Sequence, residues 1–308
     1  MNPAPTVTPM RSQIADWLPS RPQGRDVNKG TFGHVLILAG STGFIGAAVL
    51  ASEAAARAGA GLVTLVVPED LQQTAMICVS PVVMTCGLPR ANDGSLGSEA
   101  VEVALGLARG ATAAAIGPGL GHTAQTATFI LEFISRCPVA LVVDADALTV
   151  LSHENDHGRA LIRERSPTPT ILTPHPGEMG RLLGMETHQV QNDREKAASM
   201  AGAAYGCSVL LKGAGTLAAT ADGRLFLNPN GNPGMATGGA GDVLTGVVAS
   251  LLAQGLDPVK ASIVGAYLHG LAGDLGVSAQ GGTAGLIATD LIAYLPQAIA
   301  ALHREPGH

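Results

Sequence analysis

From about residue 30 to residue 300, short continuous apolar runs alternate with longer stretches that carry alanine and leucine at helical spacing. His34–Ala39 (HVLILA) is apolar after its first residue and is followed by glycine, which predicts a strand buried on both faces. Ala47–Ala58 follows with helical periodicity, and Gly59 stands where a helix stop is expected. Leu62–Val67, Ala113–Ile116, Val139–Val143, Thr170–Leu172 and Val209–Leu211 predict further buried strands, mostly separated by helical or loop segments. This alternation predicts an α/β fold with a largely parallel sheet covered by helices on both faces. One stretch breaks the pattern. Thr216–Thr220 and Arg224–Asn228 flank Ala221-Asp222-Gly223, and Asp-Gly is a hairpin turn signal, so an antiparallel pair is expected at one edge. Further on, Asp242–Gln254 sets Val243, Leu244, Val247, Val248, Leu251 and Leu252 on one broad face before Gly255. Helical runs follow from Pro258 to about Asp274 and from Ala288 to His303. No repeat or linker interrupts residues 30–300. The expected organisation is a tail or short helix over 1–28, one domain over 29–303 and a tail over 304–308.

Composition narrows the class. With 46% hydrophobic and 14% charged residues among 308, the chain is too apolar to stay open and solvated. No stretch approaches the ~18–20 uninterrupted apolar residues of a membrane-spanning helix. The formal charge of −6 and the lack of a basic run argue against nucleic acid. Aromatics are only 3%, so the apolar mass is alanine, valine, leucine and isoleucine, which suits tight helix-on-sheet packing. Cys78, Cys86, Cys137 and Cys207 are scattered, without zinc-site spacing, and read as core cysteines. The N-terminus has no apolar signal core, so a reducing cytoplasm is the expected location.

The chemistry-bearing residues fall at predicted strand ends. Gly40 follows the first strand, Gly117-Pro118-Gly119 another, and Asp144-Ala145-Asp146 ends Val139–Val143. Thr173–Glu178 (TPHPGE) and Lys212–Thr216 (KGAGT) follow the next two. Ligands of open parallel sheets bind outside the carboxyl ends of the strands, so these segments are expected to form one rim. Gly40, Gly43 and Gly46 are spaced G-x-x-G-x-x-G, which departs from the dinucleotide fingerprint and argues against a hydride-transferring dehydrogenase. They read either as tight turns with close helix packing or as ligand contacts. Thr237–Asp242 (TGGAGD) is the sharpest motif: its glycines allow amides to converge on an anion at a helix N-terminus. Asp242 then reads either as a stabilising first-turn carboxylate or as an acid beside an anion hole, placed to take a proton from an attacking hydroxyl.

Five segments carry a family resemblance: GPGLG (Gly117–Gly121), DADAL (Asp144–Leu148), TPHPGEM (Thr173–Met179), LKGAGT (Leu211–Thr216) and NPGMATGGAGDVLTG (Asn232–Gly246). Together, over about Lys29 to His303, they resemble the nicotinamide nucleotide hydrate dehydratases, which are similar to ribokinase-type kinases in their three-layer αβα fold. The resemblance implies ADP-dependent dehydration of NADH and NADPH hydrated at C6, with release of AMP and phosphate. It implies ADP as phosphoryl donor and Mg²⁺ with the phosphates. It also implies a homotetramer and cooperation with a separate NAD(P)H-hydrate epimerase. Asp242 matches the acid at the reacting hydroxyl, and Gly241 the amide at the nucleotide phosphate. Lys212, Gly213, Ala214, Gly215 and Thr216 match the AMP-binding segment. Ala47, Gly119 and His175 match positions lining the hydrate.

Bland readings stand beside these. Lys212 could be a surface lysine in an ordinary turn, Ala47 a small residue that lets a helix pack, and His175 a loop histidine satisfied by backbone. Asp144 and Asp146 could help place metal, or Asp146 could cap a helix over Ala147–Leu151. His34, His122 and His269 read as structural or solvated. A thiazole or pyrimidine alcohol kinase of the same fold would share Asp242 and the glycine loop, and a nucleotide sensor could retain both without turnover.

Overall fold

In the computed structural model, which describes residues 5–19 and 27–303, nine strands form one sheet. They are β1 (His34–Leu38), β2 (Leu62–Pro68), β3 (Val83–Leu88), β4 (Ala113–Ile116), β5 (Ala140–Val143), β6 (Thr170–Leu172), β7 (Ser208–Leu211), β8 (Leu217–Ala219) and β9 (Leu225–Leu227). The described α-helices are α1 (Arg11–Trp17), α2 (Ile45–Arg57), α3 (Gln72–Cys78), α4 (Ser98–Arg109), α5 (Ala124–Arg136), α6 (Ala145–His153) and α7 (Asn155–Glu164). They continue with α8 (Pro176–Leu183), α9 (Thr187–Asn192), α10 (Arg194–Tyr205), α11 (Ala240–Ala253), α12 (Pro258–Gln280) and α13 (Ala288–His303).

The sheet order is β3-β2-β1-β4-β5-β6-β7-β8-β9. Pairs from β3 to β7 are parallel, and β8 and β9 add the expected antiparallel edge. Side chains alternate between two cores because successive residues of a strand point to opposite faces. Val35 and Ile37 join α2, α11, α12 and α13 on one side. Leu36 and Leu38 join α4, α5, α6 and α10 on the other. The mostly apolar sequence of β1 follows from that double burial.

Chain direction across the sheet reverses at β1, which has β2 on one side and β4 on the other. The loops after β1 and β4 therefore lead to helices on opposite faces of the sheet while staying hydrogen-bonded to each other, and the candidate crevice is the region outside the carboxyl ends of these strands, where such sheets bind ligands. Helix α11 lies over that end, held close to α2. A Cβ built on Gly246 would lie 2.0 Å from the carbonyl oxygen of Ala51, so only glycine lets the helices approach this far.

Several elements differ from the pattern reading. β3 lacks a buried apolar run because it is an edge strand, with Met84 exposed and Thr85, Cys86 and Gly87 half-buried. Helix α12 runs six residues past Asp274, to Gln280, because Gly276 packs against Leu286 and Tyr294, and Gly281 at φ +77° ends it. Asp146 does not cap a helix: α6 starts at Ala145 with Asp144 at the N-cap position, and Asp146 lies inside the first turn. At the N-terminal side, Val7 pairs with β9 through Val7 N–H to Leu225 O and Leu227 N–H to Val7 O, each 2.9 Å. Ile14 and Leu18 enter the same core as α12 and α13. The expected tail over 304–308 lies outside the described residues.

The α2–α11 contact generates a stability prediction. Gly246→Ala places a methyl on an immovable carbonyl and should cost about 3 kcal/mol, seen as a melting temperature several degrees lower by circular dichroism. A parent-like melt would show that the helices separate freely.

Candidate active site

The crevice wall beside β1 is stitched by backbone. Gly40 N–H donates to Pro118 O at 2.8 Å, and Ser41 Oγ donates to Gly119 O at 2.8 Å. Gly119 sits at φ +63°, and a Cβ there would lie 2.7 Å from Phe44 O and 3.1 Å from the Ala47 Cβ. Ala47 and Gly119 thus meet in one wall. Gly43 and Gly46 have nothing within 4 Å of a built Cβ, so close helix packing does not explain them.

A buried ionic cluster forms the floor. Asp144, at the end of β5, is 1% exposed. Its Oδ1 lies 2.6 Å from Lys212 Nζ, and its Oδ2 accepts from Thr245 Oγ1 at 2.6 Å. Lys212 Nζ also lies 3.7 Å from Glu178 Oε2. Its side chain is only 15% exposed, which excludes a surface lysine in an ordinary turn. Burial works to lower the Lys212 pKa, but Asp144 and Glu178 outweigh it and hold the ammonium above its ordinary value. Glu178, 7% exposed, is pushed up to about 7 by burial and by Asp144, against the pull of Lys212.

His175 occupies the N-cap of α8. Its Nδ1 accepts from Gly177 N–H at 3.0 Å and Glu178 N–H at 3.3 Å, and its own N–H donates to Glu178 Oε2 at 2.7 Å. That reciprocal box fixes the ring with its proton on Nε2, which lies 3.4 Å from Glu178 Oε1. Burial and the charges of Lys212 and Arg181 lower its pKa, so the neutral ring prevails. The backbone contacts are those of a satisfied loop histidine, yet the side chain is about half exposed at the crevice.

The TGGAGD segment turns into α11 at Gly239, φ +88°, where a Cβ would strike Leu50 Cδ1 at 2.4 Å. Among the described residues, the N–H groups of Gly241 and Asp242 meet no acceptor, as first-turn amides of a helix often do not. A Cβ built on Gly241 would lie 3.4 Å from Lys212 Nζ, so this turn rests directly on the ammonium. The Asp242 carboxylate makes no hydrogen bond among the described residues. Burial, Asp144 and Asp146 raise its pKa to about 6, while Lys212 pulls the other way. Asp242 lies in the first turn of α11, as the stabilising reading has it, but its oxygens bond to none of the first-turn amides.

The segment Gly213–Gly215 projects outward and is exposed. Arg194 straps it from beneath, donating from Nη2 to Leu211 O, Lys212 O and Gly215 O at 3.2–3.3 Å. On the other side, Asp274 braces the NPGM loop through Asn232 Nδ2 at 2.8 Å and Gly231 N–H at 3.1 Å.

Metal-binding capacity is limited. No cluster of three or more His, Cys, Asp or Glu suited to a metal occurs among the described residues. Asp144 has both oxygens engaged, and Asp146 Oδ2 accepts from Gly121 N–H at 2.8 Å. Asp242 and Asp146 Oδ1, the latter 3.9 Å from His122 Nδ1, remain, a donor set that fits a Mg²⁺ ligated mainly by nucleotide phosphates and water.

The structure therefore brings Lys212, Gly241 and Asp242 together, links His175 to them through Glu178, and joins Ala47 to Gly119. Gly213–Thr216 lie beside this centre and not in it. Sequence reasoning gave no role to Glu178, Thr245, Arg194 or Asp274. Glu178 had a usable signal, the capping-box spacing from His175. Thr245 and Arg194 had none.

Comparison with known proteins agrees with this geometry. A family model described as NAD(P)H-hydrate dehydratase matches residues 35–297. The bifunctional NAD(P)H-hydrate repair enzyme Nnr of Moorella thermoacetica is 42% identical over 302 residues, taking in 96% of this chain and 55% of that protein. The ADP-dependent (S)-NAD(P)H-hydrate dehydratase of Neisseria meningitidis is 39% identical over 269 residues, covering 87% of this chain and 86% of that one. The crystal structure of the ADP/ATP-dependent NAD(P)H-hydrate dehydratase of Bacillus subtilis, co-crystallised with ATP/Mg²⁺, superposes with a TM-score of 0.78 at 30% identity. It covers 98% of this chain and 99% of that one. The chain spans about half the length of the bifunctional relatives it matches. Its αβα architecture is ribokinase-like. With the family model running unbroken from β1 into α13, and with the N. meningitidis enzyme matched over most of its length, the chain belongs to the NAD(P)H-hydrate dehydratase family.

Proposed function

We propose that this protein carries out ADP-dependent dehydration of hydrated NADH and NADPH, restoring the reduced dinucleotides with release of AMP and phosphate. One observation carries the reading: a carboxylate without a hydrogen-bond partner, Asp242, stands beside two unpartnered amides and above the Lys212 ammonium. A cluster of that kind can accept a proton and hold a phosphoryl group. In this reading Ala47, Gly119 and His175 line the hydrate, and Lys212–Thr216 with Gly241 bind the nucleotide. The hydrate C6 hydroxyl attacks the β-phosphorus of ADP while Asp242 takes its proton, and AMP leaves. The C6–O bond then breaks with the electron pair going to phosphate, assisted by the ring nitrogen lone pair. Loss of the C5 proton completes the ring double bond. Asp242 and Asp146 would help hold a Mg²⁺ carried in with the nucleotide, which would supply charge neutralisation at the transferring group. The proposal extends to a cytoplasmic homotetramer acting beside an NAD(P)H-hydrate epimerase.

ADP should support the reaction better than ATP, on the strength of the NPGM lead at Asn232–Met235. Equal or greater kcat/KM with ATP under matched Mg²⁺ would overturn this. Recovery of the reduced-nicotinamide absorbance, with AMP and phosphate as products, also separates a dehydratase from a kinase that leaves a stable phosphate ester.

The nucleotide end is tested at Gly213. Valine is disfavoured at φ +129°, and its Cβ would lie 3.0 Å from Arg194 Nη1, so the loop must shift. The KM for ADP should rise far more than that for the hydrate. A selective loss of hydrate affinity would mean the two ligands are the other way round.

Asp242→Asn should lower turnover roughly 10²–10⁴-fold, which is ~3–5 kcal/mol in the barrier. The melting temperature should stay equal to or above the parent's, because a half-buried charge near Asp144 and Asp146 is removed. In the parent, the ionised base is lost as pH falls, so kcat/KM should drop below about pH 6. A variant within about threefold of the parent rate, or a flat acid limb, contradicts a base role.

A further inference from the structure

His269 of α12 is half-buried behind the start of α11. His269 Nε2 lies 2.9 Å from the carbonyl oxygen of Ala240, the first residue of α11. A carbonyl only accepts, so Nε2 carries the proton. Burial and the nearby Lys212 charge press the ring pKa down to about 4, against the opposing hydrogen bond to Ala240, so the donor stays neutral at working pH. The Ala240 carbonyl belongs to the same peptide unit as the Gly241 N–H, one of the two amides with no acceptor. Two donors therefore converge on that carbonyl: the ring and the ordinary helical N–H of Leu244. The opposite end of the peptide faces the anion hole.

We propose that His269 is a positioning residue for nucleotide phosphate: it locks and polarises the Ala240–Gly241 peptide so that the Gly241 N–H is aimed into the anion hole before ligand arrives. Two physical effects follow. A rigid ring on a packed helix removes the tilt by which a first-turn peptide frays. A hydrogen bond to the carbonyl also strengthens donation from the N–H of the same unit. A neutral donor does this without the cost of withdrawing an imidazolium from water. The carbonyl keeps its helical partner when the ring is removed, so the loss falls on aim and not on an orphaned polar group.

This rests on the nucleotide reading above, and the experiment separates the two. AMP binding is measured by calorimetry on the purified protein, with no turnover required, for the parent, His269→Phe and His269→Gln. Phenylalanine fills the volume without a donor, and the glutamine amide reaches the same carbonyl. His269→Phe should weaken AMP about threefold to tenfold, the usual net worth of one hydrogen bond, and His269→Gln should restore it to within about twofold of the parent. In the free protein, the Gly241 amide proton resonance should move upfield in His269→Phe and return in His269→Gln. Unchanged AMP affinity in the phenylalanine variant, or equal loss in both variants, overturns the proposal and leaves His269 as packing. A parent that fails to bind AMP overturns the nucleotide reading itself, and the positioning role with it.

Discussion

The Lys212 ammonium is the charge on which the site depends. It sits between Asp144 and Glu178, with Asp242 in electrostatic reach, and its side chain is nearly removed from water. Withdrawing an ion from water costs several kcal/mol even after relaxation, so a buried charge persists only with partners of good geometry. Asp144 has them, an ammonium and a hydroxyl at 2.6 Å each. Glu178 has part of the same cation and a backbone N–H, and Asp242 has no direct partner. One cation cannot settle two buried acids and a half-buried third. The deficit appears as the raised pKa values of about 7 and about 6.

That deficit raises a difficulty for the proposed function, in which the same crevice would admit an anionic nucleotide. The fold meets it with groups that carry no counter-charge of their own. Gly241 and Asp242 present free amides at the N-terminal end of a helix, where the peptide dipoles favour negative charge. The exposed Gly213–Gly215 backbone, strapped by Arg194, lies beside them. These pieces converge because β5, β6 and β7 are parallel neighbours, β5 and β6 ending level and β7 running two residues further to Leu211, and because Gly246 lets α11 lie against α2 at a distance no larger residue permits. The site is thus a property of sheet order plus one helix contact.

Much of this frame was legible in the sequence. Double burial makes a parallel strand a continuous apolar run, so β4 and β6 were read to the residue and β1, β5 and β7 to within one. The Asp-Gly turn gave the antiparallel edge, and TGGAGD gave the start of α11 to within two residues. The rest was hidden for stated reasons. β3 is an edge strand without the apolar run. Thr245 looks like one more β-branched residue on the buried face of α11, and only the position of Asp144 makes it a hydrogen-bond donor. A lysine after a strand ordinarily snorkels to water. That Lys212 turns inward instead depends on two carboxylates, Asp144 at the end of β5 and Glu178 in the first turn of α8. Asp242 was read both ways, and the structure keeps it in the first turn of α11 while leaving its oxygens without a hydrogen-bond partner among the described residues.

The energetic sign of Asp242 also argues that its position is maintained against stability. The folded state binds its proton more tightly than the unfolded chain, since the pKa rises from 3.8 to about 6. Its contribution is therefore fully favourable only below the unfolded value, and is lost as pH rises through the folded one. At neutral pH the ionised carboxylate is held where it destabilises the fold. A residue selected only for the first turn of α11 would keep the helix-dipole benefit on the exposed side, without the desolvation. Here the carboxylate is half-buried, faces Asp144 and Asp146, and leaves its oxygens without a protein donor. Strain of this kind persists where surrounding structure over-determines it. The close α2–α11 contact, the Lys212 floor beneath Gly241 and the His269 bond behind Ala240 are that structure. The same three contacts that force the acid into an unfavourable place also fix its distance from the amides beside it, which is what a proton acceptor next to a transferring phosphoryl group requires.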